Sequence, residues 1–188
     1  MRAAEKVMDA YRLFARKYPV LFIGINLMLI CLWISVIMGF SSENDEVSGG
    51  RSARILVGLV NVIAPSADVT LKNYESLEAL QNTEKALRKA AHMFEYGVLA
   101  MLVWAVMFGF RDLPRRYAYI MPVLAVICVG SIDEKNQTTV TGRTGSWVDV
   151  CVDAAGALIA VFIAYRLTKM YRDLKRRQDR PLRGRQAF

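Results

Sequence analysis

The feature that most constrains the fold is a run of 21 residues without a charged side chain, Val20–Phe40. About 20 apolar residues are enough for an α-helix to cross the hydrocarbon core of a bilayer. Three later blocks, residues 90–110, 117–132 and 148–167, are also largely apolar, although 117–132 is short for a span. The apolar segment 55–64 is too short to cross and is expected to be re-entrant or interfacial. The sequence therefore predicts an all-α, multi-pass transmembrane bundle of about four spans.

The distribution of basic residues predicts how the spans are oriented. Seventeen of the 25 Lys and Arg residues lie in three regions that a four-span chain places on one side: residues 1–17, 111–116 and from 166 onward. The same regions hold only five of the 17 Asp and Glu residues. Because loops rich in Lys and Arg stay in the cytoplasm, both termini are predicted to be cytoplasmic in a plasma-membrane protein. Residues 1–18 are then a basic interfacial helix, and residues 168–188 a basic cytoplasmic tail.

Composition argues against two other classes of protein. The net charge of +8 is typical of nucleic-acid-binding proteins, but the cations here flank spans and favour anionic lipid. The expected partner is therefore the lipid bilayer, not nucleic acid. Cys31, Cys128 and Cys151 each lie in an apolar block without CxxC pairing. They are expected to be buried as small apolar side chains rather than to form a disulfide or a zinc site.

Two polar stretches interrupt the apolar blocks. The first begins the second span, where Lys89, His92 and Tyr96 share one helical face and Glu95 follows His92 at i+3. The second closes the third span and opens the fourth, and it contains Asp133, Glu134, Gln137, Arg143, Asp149 and Asp153. A four-span topology brings both stretches to the outer interface. Because ionisable groups within spans are costly, these residues are expected to face one another or a cavity.

In order and spacing, these residues resemble the VanZ-like family. The resemblance rests on Phe40-Ser41-Ser42, Lys89-x-x-His92-x-x-Glu95-Tyr96, Asp133-Glu134-x-x-Gln137, Gly142-Arg143 and Asp149-x-x-x-Asp153-x-x-Gly156. It implies a membrane domain at residues 19–167 in a protein of the bacterial envelope. It also implies an association with lowered susceptibility to the glycopeptide teicoplanin, without naming a reaction. Thr139 and Ala160 depart from the pattern, since many relatives carry an aromatic residue and a second glycine there.

Catalysis is one function open to the polar residues. His92 can act as a general acid or base because imidazole titrates near physiological pH. Glu95 or Asp133 can orient it, and with Glu134 the set is compatible with a membrane-embedded hydrolase or transferase acting on a lipid-linked substrate, which is the alternative to ligand binding. The structural alternative is a histidine that a neighbouring carboxylate holds between two helices.

Ligand binding is the second function. Arg88, Lys89 and Arg143 can hold the anionic group of a lipid-linked cell-wall precursor or an amphipathic antibiotic. Tyr96, Gln137, Asp149 and Asp153 complete the site. The carboxylates can instead hold a divalent cation, or only pair with the cations and join the helices. No particular metal or cofactor is indicated. Ser146-x-x-Asp149 has the spacing of a capping box, which explains Asp149 without a ligand.

Overall fold

The regular structure of the chain is helical throughout the described residues. The computed structural model describes residues 2–43, 45–65, 69–70, 78–110, 113–140 and 144–178. The helices are α1 (Arg2–Lys17), α2 (Pro19–Ser41), α3 (Asp45–Ile63), α4 (Glu78–Gly109), α5 (Arg115–Gln137) and α6 (Trp147–Gln178). By length and composition, α2, α4, α5 and α6 can each cross a membrane. The prediction of an all-α bundle with about four spans is therefore confirmed.

The surface of the bundle is apolar and its interior is partly polar. Leu158, Ile159 and Phe162 on α6 are each more than half exposed, whereas Asp133 and Asp153 are 0% and 1% exposed. In water this distribution would leave a large unfavourable apolar patch. In a bilayer it is favourable, because hydrocarbon surrounds the apolar side chains and the ionisable groups face inward. The chain is therefore a membrane protein.

The bundle is organised around α4, which contacts α6 most extensively and also packs against α5, α2 and α3. Small residues of α6 allow this contact, since Gly156, Ala157 and Ala160 are buried against α4. A Cβ atom added to Gly156 would lie 2.2 Å from the carbonyl oxygen of Met93. The two backbones therefore touch directly, which is the packing that small residues permit between transmembrane helices.

Successive spans run in opposite directions, so that the bundle has two distinct ends. At one end α2 begins and α4 ends, and the rings of Phe22 and Phe110 lie 5.8 Å apart. α1 packs there, so we call it the α1 end. At the other end α2 and α5 finish together, and the Asn136 amide nitrogen donates to the Ser42 hydroxyl at 3.3 Å. We call this second end the far end.

One expectation differs from the structure, and one segment is longer than expected. The prediction that the cysteines are buried is wrong, because Cys31, Cys128 and Cys151 are exposed and free. An apolar block that crosses a membrane has lipid as its apolar surroundings, so a small apolar side chain has no need of the protein interior. The segment expected at 55–64 belongs to the longer helix α3, which begins at Asp45 and packs against α4.

Candidate functional site

A polar pocket of about 300 Å³ lies at the far end between α4, α5 and α6. Its lining comprises Lys85, Arg88, Lys89, His92, Glu134, Gln137, Thr144, Asp149, Val152 and Asp153. The four Lys, Arg and His side chains in this set all come from α4. The three carboxylates come from α5 or α6. The polar pocket therefore has a cationic wall facing an acidic wall.

The cationic wall follows from the spacing of its residues on α4. Lys85, Lys89 and His92 are separated by four and three residues, so they lie one above another on the same face of the helix. The Lys89 ammonium lies 3.4 Å from an Asp149 carboxylate oxygen and links α4 to α6 across the pocket. Because Asp149 keeps 41% of its side chain exposed, this ion pair is solvated and contributes little to stability.

The α5 part of the acidic wall lies on one buried face of that helix. Asp133, Glu134 and Gln137 are all buried and lie at i, i+1 and i+4. The Gln137 amide nitrogen donates to Asp133 Oδ2 at 3.2 Å and to Glu134 Oε1 at 3.3 Å. From α4, the Tyr96 hydroxyl donates to the same Asp133 oxygen at 3.2 Å. Tyr96 and Asp133 do not line the pocket, so they support the acidic wall from behind.

Glu134 also holds the start of α6. The Ser146 backbone N–H donates to Glu134 Oε2 at 2.6 Å, and the Ser146 hydroxyl accepts a bond from the Val148 N–H at 3.2 Å. Ser146 therefore caps the helix as its spacing suggests. A capping box also requires Asp149 to accept a hydrogen bond from the Ser146 N–H. That part of the prediction is wrong, because the Ser146 N–H donates to Glu134 and Asp149 pairs with Lys89.

Asp153 lies one turn deeper than Asp149 and is 1% exposed. Its Oδ1 atom is buried and accepts no hydrogen bond from any residue in the described ranges. Gly130 of α5 makes room for this side chain, since a Cβ atom there would lie 3.1 Å from Asp153 Oδ2. A buried carboxylate without a partner is costly. Asp153 is thus a lining residue of the polar pocket that keeps one buried oxygen without a hydrogen-bond donor among the described residues.

The structure brings most of the sequence-predicted residues together. Six of them line the polar pocket, namely Lys89, His92, Glu134, Gln137, Asp149 and Asp153. Glu95 is not part of the lining. Its backbone carbonyl accepts a hydrogen bond from the Trp33 indole at 2.8 Å, which joins α2 to α4. Arg143 lies outside the described residues.

Sequence reasoning missed Gly130, Thr144 and Val152. Gly130 could have been found from its spacing, because it precedes Asp133 and Glu134 by three and four residues and so lies on their helical face. Thr144 and Val152 carry no such signal. Over the described part of the chain, no three His, Cys, Asp or Glu side chains converge as ligands of one metal ion.

Comparison of the sequence with known proteins assigns the chain to one family. The sequence matches the family described as VanZ/LLP1 over residues 26–169, which is more than half of the chain and contains every residue that lines the polar pocket. The match confirms the resemblance that the polar motifs indicate. No curated protein and no solved structure shows significant similarity to the chain.

Proposed function

Because the chain belongs to the VanZ/LLP1 family, we propose that it is an envelope membrane protein whose polar pocket binds the head group of an anionic, amphipathic envelope molecule. By doing so it lowers susceptibility to teicoplanin. The observation that supports this proposal best is the unused acceptor of Asp153, buried opposite the cationic wall of α4. A site of this kind is suited to a ligand that carries both an anionic group and hydrogen-bond donors.

The chemistry of each wall defines the ligand. Lys85, Arg88 and Lys89 are suited to a phosphate, which arginine binds through paired donors and lysine as a point charge. Asp153 is suited to a hydroxyl or amide N–H of the same molecule. Phosphate beside sugar hydroxyls is the head-group chemistry of a lipid-linked cell-wall precursor. A volume of about 300 Å³ accommodates such a head group in part, and it is too small for a whole glycopeptide antibiotic.

The proposed orientation puts the polar pocket at the outer surface of the plasma membrane. Seventeen of the 25 Lys and Arg residues lie in residues 1–17, 111–116 and from 166 onward. The described parts of these segments lie at the α1 end, which the positive-inside rule assigns to the cytoplasm. Reporter fusions at residue 70 and residue 188 test this orientation. Residue 70 is expected outside and residue 188 inside, and the same side for both would contradict the topology.

The first functional experiment compares teicoplanin susceptibility in a sensitive host that expresses wild type, Asp153→Asn or no protein at matched membrane levels. Asn keeps the size of the side chain and removes its charge. Since Asp153 Oδ1 has no partner among the described residues, its neutralisation is not expected to unfold the protein. We expect normal membrane levels and lost protection.

Asp173→Asn is the matched control, because Asp173 is an exposed acid on the same helix and does not line the polar pocket. Protection by Asp153→Asn equal to wild type would refute a role for the polar pocket. A collapse of the Asp153→Asn membrane level would indicate that this carboxylate serves the fold.

A second candidate function is hydrolysis of the bound phosphate ester. The observation that favours it is that His92 and Asp153 line the same pocket as the cations, so that an acid–base group lies beside a phosphate site. Purified protein would be incubated with farnesyl diphosphate, and released phosphate would be measured for wild type and His92→Gln. Release that depends on His92 would support an enzyme, whereas binding without release would leave the pocket as a receptor.

A further inference from the structure

A second and larger cavity, of about 1000 Å³, lies at the α1 end between α1, α4, α5 and α6. It shares no lining residue with the polar pocket. Its charged rim is strongly basic and consists of Arg12, Arg16, Arg115, Arg172, Lys175 and Arg176. Cations from three separate segments of the chain therefore converge on one space, which we call the α1-end cavity.

The carboxylate that lines this cavity, Asp9, is hydrogen-bonded to groups other than the arginines. Asp9 already accepts hydrogen bonds from the Tyr171 hydroxyl and from the Lys175 ammonium, the latter at 3.0 Å. Arg12 Nε donates to the Phe108 carbonyl at 3.3 Å, and its guanidinium lies 4.0 Å from the centre of the Phe108 ring. Within the described ranges, none of the rim arginines forms an ion pair with a carboxylate. The rim thus carries an excess of positive charge.

The inner wall of the cavity is aromatic and holds an unused donor. Trp104 and Phe108 stack there with ring centres 5.0 Å apart. Trp104 is only 8% exposed, and its indole N–H has no hydrogen-bond partner among the described residues. An indole N–H can only donate. The aromatic wall therefore contains a buried donor that no acceptor among the described residues satisfies.

We propose that the α1-end cavity binds a phosphate-bearing amphiphile, an anionic membrane phospholipid, with its phosphate held by the rim arginines and the Trp104 indole. The apolar part of the lipid lies along Trp104 and Phe108. A single phosphate group then supplies acceptors for both the rim arginines and the Trp104 N–H, since phosphate oxygens accept from guanidinium and indole donors. The position also fits, because α1 is an amphipathic basic helix of the type that lies at a membrane surface.

Binding of short-chain lipids to the full-length protein in nonionic detergent tests the proposal. Isothermal titration would compare dihexanoyl phosphatidylglycerol, dihexanoyl phosphatidylcholine and inorganic phosphate. We expect the anionic lipid to bind more tightly than the zwitterionic one, with an affinity that falls as salt is raised. Free phosphate is expected to compete only weakly, because it lacks the apolar part.

Two variants locate the binding site. Trp104→Phe removes the N–H and keeps an aromatic ring, and we expect about fivefold weaker binding of phosphatidylglycerol from the loss of one neutral hydrogen bond. Arg172→Gln removes one charge and should weaken binding about tenfold. Arg54→Gln is the control, since Arg54 is exposed on α3 and lines neither cavity. Thermal unfolding of each variant checks that it is folded.

The outcomes are distinct. A loss of affinity in both cavity variants and none in Arg54→Gln supports the site. Equal affinity for the two lipids, or unchanged affinity in both cavity variants, overturns it. Inorganic phosphate that binds as tightly as phosphatidylglycerol overturns the lipid assignment and makes the cavity a site for free phosphate.

Discussion

Gly156→Ala is the substitution for which the structure gives the most direct physical consequence. The added methyl group would lie 2.2 Å from the carbonyl oxygen of Met93, and 2.9 Å from both its carbonyl carbon and its Cα atom. All three atoms belong to the backbone of α4, so that no change of side-chain rotamer can relieve the overlap. The two helices must move apart at the level of the polar pocket, because Met93 directly follows His92.

The magnitude follows from the size of this displacement. A carbon and an oxygen that are not bonded approach to about 3.3 Å, so α4 and α6 must separate by roughly 1 Å. A gap of that size removes roughly a quarter to a half of the dispersion energy at each affected contact. Overpacking in a rigid interior costs about 1–3 kcal/mol. For a chain of this length we expect the unfolding temperature to fall by about 2–12 °C.

Thermal unfolding of the purified protein in detergent measures this effect. Gly24→Ala is the matched control, because the same methyl group added in α2 meets no atom within 4 Å. Its unfolding temperature is expected to equal or slightly exceed that of wild type, since alanine favours a helix. An unfolding temperature of Gly156→Ala equal to wild type would refute the argument that the α4–α6 backbone contact is essential for the bundle.

Two further predictions concern contacts between helices. Trp33→Phe removes the hydrogen bond to the Glu95 carbonyl, and we expect a loss of about 0.5–2 kcal/mol in unfolding free energy, measured against Trp147→Phe at an exposed position. Equal losses of unfolding free energy in Trp33→Phe and Trp147→Phe would contradict a stabilising role for this hydrogen bond. The Tyr171 hydrogen bond holds the pKa of Asp9 below its usual value, so its contribution to the docking of α1 is present above about pH 4 and is lost as the pH falls through the lowered pKa. Spin-label distances between α1 and α6 between pH 7 and pH 2 should lengthen in wild type, and a distance that stays constant would exclude this link.

The spans, and the end of the bundle at which the polar residues gather, could be predicted from the sequence because both depend on local pattern. An uncharged run such as Val20–Phe40 has one stable environment, and lipid solvates it whatever its neighbours are. The polar residues that interrupt the later runs must avoid lipid, so Asp133 and Asp153 had to face the interior of any bundle that the chain forms. These polar residues lie at the start of the second span, the end of the third and the start of the fourth. Since successive spans alternate in direction, all of these positions are at the same end of the bundle.

Only the tertiary structure decided how the polar groups are paired and which side chains reach the pocket. Glu134 binds the Ser146 N–H, Glu95 is absent from the lining, and the arginines of the α1-end cavity converge from distant segments. The buried acids require only that one side of a span faces inward, and the apolar side chains of a span have nearly the same free energy in lipid as in the protein interior. The rotation of a span about its own axis is set instead by backbone contacts such as that of Gly156 with Met93, and these depend on the fit between helices rather than on the pattern within one.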